Sequence, residues 1–309
     1  MSTVLRGTPP VSEVAQARRD GLVMVVFWAA VALASSLPQI LVGEVTGRAA
    51  PWPMAMGQVA ILAGLWAWSR RSRWLGELDA ALRWLLAMAA GWHLIIGGLL
   101  GTQAWADWQH SVPWVARGAV VQLLLFVPTV LLVALGPGRI GRRALRLQAG
   151  DDRSRAHAGV YTLGTRPTWR RLGTFWAVGI TAGTATAMWF ALGSQLDDVS
   201  VLFWSLPAIA VLAATNTVNE EFGYRNVPLA VLPPVLGQRM ALAATGLLFG
   251  LAHFYGNPPG VSGVALSAFL GVLLAKSMLE TGGSKWAWAI HWLQDMVIFS
   301  FLALAWSNL

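Results

Sequence analysis

The sequence predicts an all-α polytopic membrane bundle of eight to nine transmembrane spans, and three observations lead there. Hydrophobic residues make up 56% of the 309 residues, with a mean hydropathy of +0.57. Charged residues are only 12% of the chain, against about 25% in an ordinary soluble domain. Uncharged apolar runs recur from end to end, and the basic residues gather between them. In lipid each span must satisfy its own backbone hydrogen bonds, so these runs form helices.

The first run, 21–43, follows Arg18-Arg19 and holds Ala32-Leu33-Ala34 before Ser35, a pattern also found in cleavable signal peptides. It continues through Leu37 to Val42, long enough to span at about 20 residues, so an uncut first helix is expected. Runs 53–69, 84–105 and 114–136 follow, then 172–193 and 200–222 on either side of the acidic link Asp197-Asp198. Runs 239–254, 261–280 and 286–306 complete the series. Many of the eighteen tryptophans, such as Trp52, Trp66, Trp68, Trp114, Trp286 and Trp288, fall near run ends. There an indole anchors a helix at the lipid–water interface. The spacings Gly179-xxx-Gly183 and Gly246-xxx-Gly250 allow close helix approach.

Charge gives the topology. Nine arginines lie in 137–171, and Arg18, Arg19, Arg70, Arg71, Arg73 and Arg83 flank other runs. With the N-terminus cytoplasmic, loops 70–83 and 137–171 fall inside and Asp197-Asp198 outside, so three clusters agree on one orientation in the plasma (inner) membrane. The net charge of +8 is then a topology signal and not a nucleic-acid surface, although loop 137–171 also suits anionic lipid. The loop divides the chain into an N-terminal helical part, 1–136, the basic loop, 137–171, and a C-terminal core, 172–309. Cysteine is absent, which excludes disulfides, thiolate metal sites and a cysteine nucleophile. No repeat of fixed period suggests duplicated transporter halves.

The candidate chemistry lies in the C-terminal core. Charged groups at bilayer depth cost roughly 2.5–3.5 kcal/mol each, so those that are kept there mark function. Glu221 and Arg225 are spaced i,i+4 with the acid first, the favourable order for an ion pair. Adjacent helical residues project about 100° apart, which leaves Glu220 without a local partner and free to act on water. Pro233-Pro234 and Gly237 signal a turn, with Glu220 and His253 nearly equidistant from it. A helical hairpin would bring both to one height. His291 and Asp295, also i,i+4, allow the carboxylate to fix the tautomer of the imidazole. Simple alternation of spans, however, sets His253 and His291 at different depths. His93 lies mid-span with no acidic partner in sequence, so a structural hydrogen bond is expected of it.

Glu220-Glu221-xxx-Arg225, Phe249-xxx-His253 and His291-xxx-Asp295, in this order, resemble the CPBP family, the CAAX-protease and bacteriocin-processing intramembrane glutamic endopeptidases. The resemblance covers roughly residues 200–305. It implies that Glu220 and His253 activate water for attack on a peptide carbonyl, that His291 and Asp295 stabilise the oxyanion, and that Glu221 and Arg225 support them. It also implies a cavity open to the cytoplasm or to lipid. Asn226 departs from the glycine that commonly follows the arginine. The expected substrate is a membrane-associated peptide or protein, with no cofactor required.

Three rivals remain at this level. The same oxygen and nitrogen donors suit zinc, but no HExxH helix is present. A non-catalytic immunity or scaffold protein would not need the full polar set. A proton-driven transporter could also use buried Glu and His.

Overall fold

The computed structural model describes residues 11–135, 144–193 and 200–306. These form helices without a strand, as the composition requires. The helices are α1 (Val11–Ala34), α2 (Leu37–Thr46), α3 (Trp52–Ser69), α4 (Asp79–Ala89), α5 (Gly97–Leu100), α6 (Gln103–Ser111), α7 (Trp114–Leu135) and α8 (Trp169–Leu192). Then follow α9 (Ser200–Glu221), α10 (Val227–Val231), α11 (Pro233–Ala252), α12 (Val261–Thr281) and α13 (Lys285–Trp306). Two π-helical segments join them, Ala90–Ile96 between α4 and α5 and Phe222–Asn226 between α9 and α10.

Among the described residues seven helical stretches are long and apolar enough to cross a membrane, or eight if the bent pair α1–α2 is one span. The expected upper count of nine is therefore not reached. α3 is a helix over the expected range, but it is not among the seven. Its tryptophans, Gln58 and glycines dilute its hydropathy. The α1–α2 pair bends by 54° for a reason visible in the sequence. Pro38 has no N–H to give the carbonyl of Ala34, four residues earlier. Ser35 Oγ donates to Ala32 O at 2.7 Å and accepts from Leu37 N at 3.1 Å, which draws that N–H away from Leu33 O. The two orphaned carbonyls find partners on other helices. Gln58 Nε2 donates to Leu33 O at 2.7 Å, and His93 Nε2 to Ala34 O at 3.0 Å.

The hairpin expected around Gly237 takes a different form. α9, the second π segment and α10 make one long span, Leu202–Val231. Gly237, at φ 79° and ψ 163°, breaks α11 near its start. α9 packs on α13 and α7, and α11 packs on α12. Gly246 and Gly250 serve that last contact. A Cβ at Gly250 would stand 2.7 Å from Val264 O, and one at Gly246 2.5 Å from Val272 Cγ2. Among the described residues, Gly179 and Gly183 have no neighbour within reach of a Cβ, so the first small-residue pair mediates no packing there.

The N-terminal and C-terminal parts share one apolar core, with Phe27, Leu62, Trp84 and Leu85 buried beside Tyr224, Phe249, Leu274 and Ile290. Described parts of the basic loop dock on one end of the bundle. Asn226, fully buried, donates to Leu145 O at 2.5 Å and Ser284 Oγ at 3.0 Å. Trp169 donates to Glu280 at 2.9 Å, and Glu280 also pairs with Lys276 and with His157 Nδ1, the latter at 2.9 Å. Arg19–Glu77 lies at the same end. Glu44 and Tyr255 meet at the opposite end. Asp197-Asp198 lies outside the described residues.

Candidate active site

The site is built where α9 loosens into its π segment. Widening the helix from i→i+4 to i→i+5 bonding frees main-chain groups. Trp84 Nε1 of α4 donates to the carbonyl of Gly223 at 2.8 Å, inside the core. The first π segment is treated in the same way, since Trp52 Nε1 donates to Leu94 O at 3.1 Å. Trp52 therefore does more than anchor an interface.

Glu221 and Arg225 are both fully buried. Arg225 Nη1 is 3.0 Å from Glu221 Oε1, but none of the guanidinium nitrogens makes a hydrogen bond within the described residues. The pair is thus an ion pair by distance with poor hydrogen-bond angles. The Phe249 ring supplies a second partner, 3.7 Å from Arg225 Cζ. A desolvated cation over an aromatic face gains about 2 kcal/mol.

His291 sits between the two glutamates. Its Nδ1 is 2.7 Å from Glu221 Oε1, and a carboxylate oxygen accepts, so Nδ1–H is the donor. Nε2 then faces Glu220 Oε2 at 3.4 Å and Asp295 Oδ2 at 3.7 Å. The group that orients the imidazole is therefore Glu221 and not Asp295, as i,i+4 spacing alone suggested. Asp295 Oδ2 instead accepts from Asn216 Nδ2 and Thr217 Oγ1 of α9, each at 3.1 Å. Glu220 Oε2 is buried and makes no hydrogen bond within the described residues.

His253 follows the last residue of α11. Its Nδ1 lies 2.7 Å from Phe249 O. A carbonyl can only accept, so Nδ1 carries the proton and Nε2 is the basic nitrogen of the neutral ring. The Phe249 ring touches every arm of the cluster, with centroids 4.3 Å from the His253 ring and 5.8 Å from the His291 ring.

Glu220 and His253 line one cavity of about 210 Å³, with Tyr224, Trp84, Trp92 and His93. His291 stands behind Glu220 and does not reach this wall. The structure thus brings all six sequence-selected residues into one cluster across α9, α11 and α13, and the depth difference between His253 and His291 is bridged by Glu220 and Phe249. Sequence reasoning set His93 outside the site. Its expected hydrogen bond is present, to Ala34 O, yet the ring also forms part of the cavity wall. Pro38 was the available signal, because it orphans the carbonyl that His93 caps. Among the described residues no three His, Asp or Glu side chains are arranged to hold a metal ion.

Fold and site together define an integral membrane protein whose helices enclose a carboxylate–imidazole cluster beside an internal cavity. Residues 202–297 match the family model described as Type II CAAX prenyl endopeptidase Rce1-like. That segment, about a third of the 309 residues, is similar to CAAX-type proteases at the level of the family and includes all six residues. None of the curated proteins or solved structures compared with the chain matches it.

Proposed function

We propose that the chain is an intramembrane endopeptidase that hydrolyses a peptide bond of a membrane-associated CaaX-type substrate. The observation that carries this reading is Glu220, a buried carboxylate without a hydrogen bond that shares its cavity with His253. A water held between the Glu220 carboxylate and His253 Nε2 loses a proton to this pair as its oxygen attacks the scissile carbonyl. The proton passes to the leaving amine as the C–N bond breaks, which yields a carboxylate and an amine.

His291 serves the oxyanion. Glu221 holds its Nδ1–H, and in the imidazolium form, with the Glu220, Glu221 and Asp295 carboxylates around the ring, Nε2 also carries a proton to donate. The 3.4 Å separation from Glu220 is longer than the ~2.7–2.9 Å of a charge-assisted hydrogen bond. Nε2 can therefore exchange Glu220 for the developing charge. Asp295, fixed by Asn216 and Thr217, holds a negative charge beside the ring. Glu221 and Arg225 are positioning residues. The mechanism requires no metal ion. The basic end of the bundle is the cytoplasmic one, with the N-terminus inside, in the plasma membrane.

The test is cleavage of a farnesylated peptide ending in CaaX by the purified full chain in liposomes. Glu220→Gln and His253→Ala should each lower kcat by about 10²–10⁴-fold, the usual loss for a general base. His291→Ala should cost about 10²–10³-fold. Chelator should leave cleavage intact. Absence of cleavage by the parent chain would return it to the scaffold reading, an active Glu220→Gln variant would remove Glu220 as the base, and chelator inhibition reversed by zinc would make it a metalloprotease.

A further inference from the structure

A cleft of about 540 Å³ opens in the docked basic loop, where that loop enters α8. It shares no lining residue with the cavity of Glu220 and His253. Arg155, Thr165, Arg166, Pro167, Thr168 and Arg171 line it, three guanidiniums and no carboxylate. The other described arginines of the loop are engaged elsewhere. Arg146 Nη1 donates to Ala144 O and Leu229 O, each at 2.9 Å, while Arg153 and Arg170 act on Asp152. Arg155, Arg166 and Arg171 are exposed and form no ion pair among the described residues. Like charges gathered without a counter-charge repel one another, so an anion completes the arrangement.

Main-chain bonds hold the cleft in shape. The segments on its two sides run antiparallel, with Arg155 facing Thr168. Ala156 N donates to Pro167 O and Trp169 N to Ser154 O, both at 2.9 Å. Arg155 Nη1 reaches across to Arg166 O at 3.1 Å. Beneath them Ala156 and Trp169 are buried with Leu172 and Leu273, and Trp169 Nε1 is tied to Glu280. The first amides of α8 are already spent, Arg170 N on Asp152 O and Arg171 N on Thr168 O. The pull on an anion therefore comes from the guanidiniums and not from the helix end. Thr168 Oγ1, which caps no amide of its own helix, adds a hydroxyl donor.

We propose that this cleft binds the phosphate headgroup of an anionic phospholipid, whose acyl chains lie along α8. Guanidinium forks match phosphate oxygens two at a time. Depth and surface single out a lipid as the source of the phosphate. Arg171 stands in the first turn of the span Trp169–Leu192, which places it at headgroup level. Only 11% of that span's most apolar stretch is buried within the protein, so most of the helix faces lipid. Arg171, Phe175, Gly179 and Gly183 follow at intervals of four and so form one row on the helix. All four are exposed. No protein atom lies within 4 Å of a Cβ at either glycine, which leaves a shallow track for a chain descending from the cleft. A soluble phosphate would use the arginines but not this row. Basic pockets beside membrane helices are a recurrent form of headgroup site.

The test places the purified full chain in phosphatidylcholine nanodiscs with a minor fraction of spin-labelled phosphatidylglycerol. Electron spin resonance then reads the fraction of motionally restricted label. An arginine near a membrane surface contributes about fivefold to affinity for anionic lipid, so Arg166→Gln with Arg171→Gln should weaken retention about 10–30-fold. This pair leaves Arg155 and its bond to Arg166 O in place. Arg70→Gln with Arg73→Gln removes equal charge from loop 70–83, where the guanidiniums lie over Trp66 and Trp74. It should cost no more than about threefold. Arg166→Lys with Arg171→Lys, which keeps the charges, should restore most of the retention, a recovery that a damaged fold would not show. Equal losses in the two glutamine variants would reduce the effect to diffuse surface charge and overturn the site. Unchanged retention in Arg166→Gln with Arg171→Gln would overturn it as well. Displacement of the lipid by inorganic phosphate in excess would make the cleft a soluble-phosphate site and overturn the lipid.

Discussion

At the scale of single residues, the site is held by buried charges that each answer to more than one neighbour. Glu221 meets both Arg225, at 3.0 Å, and His291, at 2.7 Å. Arg225→Ala therefore leaves a buried carboxylate without its cation, and a loss of about 3–5 kcal/mol is expected. Thermal unfolding in detergent should show it as a large drop in Tm. Glu221→Gln in combination with Arg225→Met should recover much of the loss, because no lone charge remains. Trp84→Phe tests a different bond. It strips the Gly223 carbonyl of its 2.8 Å donor, and a buried unsatisfied acceptor costs about 1–3 kcal/mol. The six clustered residues stood out in the sequence because lipid makes a retained charge conspicuous. Their partners were less so. The sequence shows i,i+4 neighbours on one helix, and so it paired His291 with Asp295. The bond to Glu221 crosses from α13 to α9 and has no local signature.

At the scale of elements, breaks in the helices place the chemistry. Apolar runs located the helices well, but they did not show that Ser35 and Pro38 would bend the first span or that two spans would widen into π segments. These depend on carbonyl partners supplied by Gln58, His93, Trp52 and Trp84 from distant positions. Two glycine pairs with one sequence spacing have opposite environments, which makes a clean comparison. Gly250→Leu should force α11 from α12 and abolish both folding stability and cleavage. Gly183→Leu should leave Tm and kcat/KM within twofold of the parent, because nothing lies within 4 Å of its Cβ position. The docked loop gives a pH dependence. The Asp152 carboxyl is held below its ordinary range, first by the hydrogen bond from Lys285 Nζ at 2.8 Å and further by the Lys285, Arg170 and Arg153 charges. A lowered folded pKa stabilises docking above the ordinary carboxylate value of about 3.9, and the effect is lost as pH falls through the depressed value. Hydrogen exchange over 144–171 should rise below about pH 4. Asp152→Asn should show the faster exchange already at neutral pH.

At the scale of the whole molecule, the family match and the functional unit do not coincide. The matched segment, 202–297, contains every residue of the proposed catalytic cluster. Yet Trp84, Met88, Trp92 and His93 complete the cavity around Glu220 and His253, and they come from outside that segment. Sequence comparison could not see this contribution. A cavity wall asks only for shape and a few donors, which different sequences can supply, whereas water activation asks for particular side chains. The consequence is testable by division of the chain within loop 137–171. Residues 144–309 alone would expose the π segment at Phe222–Asn226, strip Gly223 O of its indole donor and open Glu220 to lipid. Lipid offers no hydrogen bond in place of what is lost, so the fragment should have no more cleavage activity than the Glu220→Gln variant. Co-expression with residues 1–143 should restore activity, because packing and hydrogen bonds between preformed helices drive association within the membrane. An active fragment, measured on the farnesylated CaaX peptide, would show that the matched third is self-sufficient and that the N-terminal helices serve another purpose. Restoration only by the partner half would make the cavity, and not the motif, the unit of function.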